Sequence, residues 1–265
     1  MYEELLKTAE TDEAAVKRLV DVIAVLRAPG GCPWDREQTH ESLKRPMIEE
    51  AYEVIEAIEK CDDANLREEL GDVLLQVVFH ANIAREENRF ALKDIANEEC
   101  EKMIRRHPHV FGDVPNNLDA KGVLSQWDDI KKLEKTNENQ TESMMKIPRG
   151  LPSLYRAEKV QKKAAKVGFD WDDVSGAFEK VNEETLEIKE AMAKGDQEEV
   201  AKEVGDLLFA AVNVSRMLDV DPEEALNGTT AKFIRRFQFV EERMQKGMSL
   251  EELDKLWDEA KAKGL

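Results

Sequence analysis

Apolar positions along this chain recur at the three- and four-residue spacing of helices, and no segment shows the strict alternation of a half-buried strand. Two stretches interrupt the helical pattern. They are the turn-rich residues 28–35, with the sequence APGGCPWD, and the polar residues 135–143, with the sequence KTNENQTES. Pro148, Gly150 and Pro152 follow the second stretch, and such clusters mark loops. The pattern therefore predicts an all-α protein with a linker near its middle.

Five short motifs occur twice in the chain, in the same order, once on each side of this linker. Glu49 and Glu183 begin matching acidic motifs at an offset of 183 − 49 = 134, and the other pairs keep similar offsets. Five motifs in one order indicate an internal duplication. We predict two tandem helical-bundle domains, at residues 1–135 and 151–265, with a linker at 136–150. The motif pairs are residues 31–35 and 168–172, 49–53 and 183–187, 69–72 and 203–206, 102–106 and 232–236, and 127–131 and 257–261.

The second of these motifs lies on a predicted amphipathic helix. In the first half its glutamates fall on one side of the helix, while Val54, Ile55 and Ile58 fall on the other. Taken by itself, this pattern is that of a solvated acidic face. The glutamates on that face are Glu49, Glu50, Glu53 and Glu56.

The third motif lies on a different kind of helix. Residues 69–84 are apolar around nearly the whole circumference, which predicts a buried helix. Glu69 and Asp72 interrupt this surface, as Glu203, Asp206 and Asn213 do in the second half. A buried carboxylate is strongly destabilising unless it is paired or binds a metal, and neither ELGD nor EVGD contains a basic residue. Because the facing helix is also acidic, we predict an oxygen-ligated Mg²⁺ ion, with pairing to Lys or Arg as the alternative.

A basic motif and a tryptophan motif follow in each half. Lys232 and Arg236 are four residues apart and share one helix face, and Lys102 and Arg106 repeat this spacing. Arginine binds phosphate through a planar fork and lysine binds it as a point charge, so we predict a polyphosphate site beside the metal. Salt bridges between helices are the alternative for these residues, and core packing is the alternative for the tryptophans. An aromatic wall and a further phosphate contact would come from Trp127, Lys131, Trp257 and Lys261.

The composition narrows the class of partner. With 39 Lys and Arg against 57 Asp and Glu, the formal charge is −18, which argues against a protein that coats nucleic acid. The three cysteines form no CxxC motif, which indicates reduced thiols in a cytosolic protein. The first residues lack the apolar core of a signal peptide, and the densest apolar run, residues 73–84, is too short to span a bilayer. We expect a cytoplasmic protein that binds neither membranes nor nucleic-acid polymers.

Several other catalytic classes find no support in the sequence. It contains no GxxxxGKS or GxxxxGKT phosphate-binding loop and no GxGxxG motif after a strand. No serine or cysteine nucleophile has a histidine at a recognised spacing. A di-iron bundle would carry Glu-x-x-His, whereas these helices carry Glu-x-x-Asp. Metal-dependent phosphate chemistry remains.

The order EExxE, a gap and ExxD resembles the MazG family of all-α nucleoside triphosphate pyrophosphohydrolases. Tandem copies, with GCPWD, ELGD and RRHPHVFG in the first half, extend the resemblance over almost the whole chain. It implies hydrolysis of an NTP or dNTP to the monophosphate and pyrophosphate by a homodimer that uses Mg²⁺, or Mn²⁺ as a substitute. It also implies nucleotide-pool housekeeping or a ppGpp-linked stress response. The implied metal ligands are Glu50, Glu53, Glu69, Asp72, Glu184, Glu187, Glu203 and Asp206.

The resemblance also suggests roles for the remaining motif residues. Lys232, Arg236 and Lys261 would contact phosphate, with Trp257 near the nucleotide. We hypothesise that Glu49 or Glu183 helps to activate the attacking water or binds a second ion. We favour the second half as the catalytic one, because its basic helix continues as IRRFQFVEERM while a proline at position 108 ends the first. The alternative is a module that senses nucleotides or docks a protein without turnover. The sequence does not determine the preferred base or sugar of the substrate, or whether the substrate is a normal or a damaged nucleotide.

Overall fold

The computed structural model describes residues 2–112, 119, 122–123, 125–127, 129–130 and 139–265. The described residues form helices and no strand, which confirms the all-α prediction. The chain divides into two compact units, residues 1–134 and 135–265. Within the stretch predicted to be a linker, residues 140–145 form a short helix. The domain limits 1–135 and 151–265, with a linker at 136–150, remain a prediction.

The first unit is built around a pair of long helices, α4 and α5. The three-residue connection, residues 60–62, makes them antiparallel neighbours. The Asp62 side chain caps α5 by accepting hydrogen bonds from the Ala64 and Asn65 amides. The described helices of this unit are α1 (Glu3–Leu6), α2 (Asp12–Arg27), α3 (Pro33–Glu37), α4 (Lys44–Glu59), α5 (Asp63–Glu86), α6 (Leu92–Arg106) and α7 (Pro108–Phe111).

The core of the first unit lies where the second half of α5 meets α2 and the start of α4. Val78, Phe79 and Ile83 of α5 pack there with Ile23 of α2 and with Leu43, the residue that precedes α4. All five side chains are buried. The core therefore anchors the C-terminal half of α5 and leaves its N-terminal half beside α4.

The second unit repeats the helix pair as α10 and α11. Gly195, whose φ of 72° is in the left-handed region, ends α10, and the Asp196 side chain caps α11 by accepting a hydrogen bond from the Glu199 amide. Two residues between the helices make them antiparallel. The described helices of this unit are α8 (Gln140–Met145), α9 (Ser153–Ala165), α10 (Val174–Lys194), α11 (Gln197–Met217), α12 (Pro222–Glu241) and α13 (Leu250–Ala262).

Burial of the helices that carry the ELGD and EVGD motifs differs from the sequence prediction. We expected them to be buried throughout, and the buried residues of α5 all lie between Gln76 and Ala84. Near the motif, however, Leu70 is 51% exposed, and Val204 and Leu208 of α11 are exposed as well. The prediction is wrong for these first turns, because the facing helix covers only one side of them. An apolar face is left uncovered there in both units.

Candidate metal and nucleotide site

Three acids of the first unit meet between α4 and α5. One carboxylate oxygen from each of Glu50, Glu69 and Asp72 lies within 4.8 Å of the other two. Burial and the Asp72 carboxylate raise the pKa of Glu50. Burial and the neighbouring Glu53 carboxylate raise the pKa of Glu69. Neighbouring carboxylates therefore oppose the ionisation of Glu50 and Glu69, and a cation would relieve that repulsion.

The second unit holds the equivalent cluster between α10 and α11. Oxygens from Glu184, Glu187 and Glu203 lie within 4.8 Å of one another. Hydrogen bonding with Glu184 and burial raise the pKa of Glu187, while burial and Glu187 raise the pKa of Glu203. Asp206, the fourth predicted ligand, lines a cavity beside Glu184 but lies outside the group of three. Three of the four predicted ligands therefore meet in this single chain.

Glu184 is the most deeply buried of these carboxylates, with 2% exposure. Its Oε1 atom is 2.5 Å from the ammonium nitrogen of Lys180, which holds the pKa of Glu184 below its ordinary value. No described residue donates a hydrogen bond to its buried Oε2 atom. A buried carboxylate oxygen without a donor is a costly arrangement that a bound cation would satisfy. The all-oxygen donor set fits a hard divalent ion.

Lys180 corrects one expectation from the sequence. We expected cation binding rather than ion pairing, because no basic residue lies inside EVGD. Lys180 lies four residues before Glu184 on α10, and it also contacts Glu183 at 2.9 Å. The equivalent first-half position, 180 − 134 = 46, is a proline, so that cluster has no matching lysine. In the second unit, two acids of the predicted site therefore also form ion pairs with a lysine.

A cavity of about 690 Å³ opens beside the second cluster. Lys180, Glu184 and Asp206 line it, together with aromatic side chains that include Trp171 and Phe209. Its volume is in the range of small-molecule binding sites, and a mixed apolar and polar lining is typical of them. The second unit thus places a charged cluster at an aromatic cavity.

One face of α11 forms a long wall of this cavity. Asp206, Phe209, Asn213 and Arg216 all line it, and their spacing of three or four residues places them on one side of the helix. The sequence indicated the polar positions of this face. It did not reveal Gln161 of α9, which lines the opposite part of the cavity and belongs to none of the duplicated motifs.

The corresponding face of α5 is built differently. The position equivalent to Asn213 is 213 − 134 = 79, where the first unit has Phe79. Phe79 is 4% exposed and packs in the core of its unit. Asn213 therefore lines a cavity in the second unit, whereas the equivalent Phe79 is a core residue of the first unit.

The predicted phosphate-binding residues of the second unit lie together on α12 and α13. The Arg236 guanidinium carbon is 5.8 Å from the centre of the Trp257 ring, and its Nε donates a 2.6 Å hydrogen bond to the Leu265 carbonyl. Lys261 pairs with Asp258 at 3.0 Å, and Lys232 lies on α12. The cavity lining runs from residue 144 to 216, so these basic residues do not line the cavity.

The other predicted site residues lie as follows. Glu183 and Glu49 are exposed, and Arg45 pairs with Glu49 at 2.7 Å. Lys102 pairs with Glu99 on α6. Arg106 ends that helix, and the Trp127 ring packs edge-on against His107 at 4.8 Å. Lys131 lies outside the described residues.

The tandem helix pairs define an all-α protein with an acidic cluster in each unit, one of them beside a cavity of small-molecule size. A family model described as the MazG nucleotide pyrophosphohydrolase domain matches residues 38–111 and again 175–240. The chain therefore belongs to the MazG family, as the sequence predicted. This membership makes it a nucleotide pyrophosphohydrolase, an enzyme that hydrolyses acid anhydrides.

Relatives with assigned names agree with this membership. The chain is 49% identical over 251 residues to the nucleoside triphosphate pyrophosphohydrolase/pyrophosphatase MazG of Thermotoga maritima, which covers 92% of this chain and 95% of that protein. It is 42% identical over 255 residues to the nucleoside triphosphate pyrophosphohydrolase of Escherichia coli K12, which covers 93% and 97%. Bacillus subtilis YabN is 51% identical over 247 residues, covering 91% of this chain and 50% of that protein. In the described ranges, no helix has the length and apolarity needed to cross a bilayer.

Proposed function

We propose that the second unit hydrolyses nucleoside triphosphates, ribo- or deoxyribo-, to the monophosphate and pyrophosphate with Mg²⁺. Glu184, Glu187, Glu203 and Asp206 would hold the ion, and Mn²⁺ would substitute for it. The buried Glu184 Oε2 atom, which lacks a donor and lies at the cavity, is the observation that carries this proposal. The names of the Thermotoga and Escherichia relatives support the reaction.

The chemistry divides between the ion and the protein. A bound divalent ion neutralises phosphate charge and lowers the pKa of water for in-line attack on phosphorus. Glu183, held 2.9 Å from Lys180 at the edge of the cluster, orients that water and accepts its proton. Its neighbours Glu184 and Glu183 raise the pKa of Lys180, which stays protonated at neutral pH. Lys180 would thus offer a fixed positive charge to the phosphates.

We assign the nucleoside to the cavity of the second unit. Trp171 and Phe209 offer aromatic surfaces to a base there, whereas Phe79 fills the corresponding place in the first unit. The first cluster, with Glu50, Glu53, Glu69 and Asp72, would bind a cation without such a nucleoside cavity, and Glu49 would stand where Glu183 stands. This assignment makes the second unit the main site of nucleotide turnover.

A homodimer would complete the site. Leu186, Leu208 and Phe233 are exposed apolar side chains on three helices of the second unit, and a second copy of the chain would cover them. We propose that Lys232, Arg236, Trp257 and Lys261 of one copy then reach the phosphates held by the other. Lys102, Arg106, Trp127 and Lys131 would serve the first unit in the same way. Light scattering should give twice the chain mass of 30.2 kDa, and a monomer of full activity would contradict the proposal.

We also propose a setting for the reaction. Free nucleotides are the substrates, and nucleic-acid polymers and membranes are not partners. We place the protein in the cytoplasm, in keeping with its free Cys32, Cys61 and Cys100. Nucleotide-pool housekeeping, or removal of nucleotides in a ppGpp-linked stress response, would be its role.

A panel of ribo- and deoxyribonucleoside triphosphates with Mg²⁺ tests the proposed reaction. The expected products are the monophosphate and pyrophosphate, resolved from orthophosphate by ion chromatography. Direct release of orthophosphate would overturn the reaction class. Nucleotide binding measured by titration calorimetry without any product would instead support a sensing module.

A further inference from the structure

Two amide side chains, Gln161 and Asn213, line the cavity. Gln161 of α9 is 6% exposed, and its Nε2 donates a 2.8 Å hydrogen bond to the Phe209 carbonyl. Because a carbonyl oxygen can only accept, this bond fixes which end of the amide is which. No described residue donates to the buried Gln161 Oε1 atom. Gln161 therefore brings an unsatisfied acceptor to the cavity.

Asn213 of α11 brings the complementary group. It is 6% exposed, and its Oδ1 accepts a 2.7 Å hydrogen bond from the Arg216 Nε. Arg216 is held in turn by Asp170, at 2.5 Å from its Nη2. Since a guanidinium can only donate, Oδ1 must face Arg216, and the Nδ2 group of Asn213 is left as a donor.

The two amides lie where a base would lie if the triphosphate sits on the acids. Asn213 follows Asp206 by seven residues on one face of α11, which is about 10 Å along the helix axis. The aromatic ring of Phe209 lies between them on the same face. The order along the wall is thus carboxylate, aromatic ring and amide, which matches phosphate, nucleoside and the polar edge of a base.

Resting on the proposed function, we propose that Gln161 and Asn213 determine base recognition in the second unit. The Gln161 Oε1 atom accepts a hydrogen bond from an N–H group on the edge of the base, and the Asn213 Nδ2 group donates to an adjacent ring nitrogen or carbonyl. The ligand is a nucleotide whose base has a donor beside an acceptor. A site built to hydrogen-bond a group discriminates strongly against an analogue that lacks it, because its own buried polar atoms stay unsatisfied.

The sharpest test pairs enzyme variants with substrate analogues. ATP carries an exocyclic amino group that purine riboside triphosphate lacks, and inorganic tripolyphosphate has no base at all. For the wild type, we expect kcat/KM for ATP to exceed that for purine riboside triphosphate roughly 10- to 100-fold. In Gln161→Leu this preference should disappear, while kcat/KM for tripolyphosphate should change less than about twofold, within the range of a substitution away from the reacting atoms.

The Asn213→Asp variant tests the donor. It turns the Nδ2 donor into an acceptor but keeps the contact with Arg216, so folding should be retained. We expect kcat/KM for ATP to fall about tenfold, with tripolyphosphate unchanged. Asn82→Asp is the matched control, because buried Asn82 accepts a 3.1 Å hydrogen bond from Arg85 three residues later, as Asn213 does from Arg216. The control should leave the substrate preference unchanged.

The outcomes separate this inference from the proposed function. Equal losses for ATP and tripolyphosphate in the Gln161→Leu and Asn213→Asp variants would overturn base recognition and indicate a structural role. An unchanged ATP preference in Gln161→Leu would also overturn it. A wild type that releases no pyrophosphate from any nucleoside triphosphate would overturn the proposed function, and base recognition with it.

Discussion

Gly176, in the first turn of α10, is a close neighbour of the cavity wall. A Cβ atom added at this position would lie 2.2 Å from Cδ1 and 2.6 Å from Cγ of Trp171. Ordinary contacts begin near 3.4 Å, so the indole ring would have to move by roughly 1 Å or more. Because Trp171 lines the cavity, the Gly176→Ala variant should deform the proposed nucleoside site.

The magnitudes indicate that this deformation costs activity more than stability. Overpacking typically destabilises by about 1–3 kcal/mol, while Gly→Ala in a helix stabilises by up to about 1 kcal/mol. Trp171 is 42% exposed, so its ring can swing toward solvent and relieve the clash. We expect the free energy of unfolding to change by less than about 2 kcal/mol, from the difference between these terms.

The assay compares two substrates and two variants. For Gly176→Ala, kcat/KM for ATP should fall about tenfold, in line with the loss of an aromatic contact, and tripolyphosphate should be hydrolysed as by the wild type. Gly228→Ala is the control, because Gly228 lies inside α12 with open space around its Cβ position. This control variant should gain up to about 1 kcal/mol in free energy of unfolding and keep the wild-type kcat/KM. Gly176→Ala with the same gain and wild-type kcat/KM would refute the reasoning.

Three further predictions concern the acids. Glu184→Gln should abolish one Mg²⁺ site in titration calorimetry, whereas Glu198→Gln, which changes an exposed glutamate paired with a lysine, should keep it; equal stoichiometry in both would contradict the ligand role. Glu203→Gln should reduce pyrophosphate release at least 100-fold by analogy with the loss of other catalytic charge-stabilising groups, and Glu69→Gln much less; the reverse order would move catalysis to the first unit. Without metal, Glu69→Gln should gain stability relative to the wild type as pH rises above about 4.5, because the raised pKa of Glu69 makes the folded wild type bind its proton more tightly. Urea unfolding at pH 4.5 and pH 7 measures this difference, and parallel curves would count against it.

The sequence predicted the helix pairs and clusters because local periodicity determines them. Glu69 and Asp72 are three residues apart on one helix, and a short connection forces α4 alongside α5, so Glu50 meets them. The same reasoning could have found Lys180, which lies one turn before Glu184 but outside the duplicated motif. The duplicated motifs themselves do not include Lys180.

The cavity could not be predicted in this way. It forms only where α9 and the loop at Trp171 pack against α10 and α11, and Gln161 reaches it from a helix that carries no duplicated motif. The exposure of apolar side chains near the ELGD and EVGD motifs could not be predicted from periodicity either. An apolar circumference indicates that a face will be covered, but it does not reveal whether the same chain or another copy covers it.

The duplication also divides the acidic residues of the protein into predicted metal ligands and surface charges. Setting aside the eight predicted ligands leaves 57 − 8 = 49 acids against 39 bases, so a charge of −10 remains for the surface. Two differences between the units bear on the proposed function. Pro46 and Phe79 in the first unit stand where Lys180 and Asn213 stand in the second. In that proposal the lysine would add a positive charge for phosphate, and the asparagine would add a donor for a base. Both differences would then adapt the second cluster to a nucleotide.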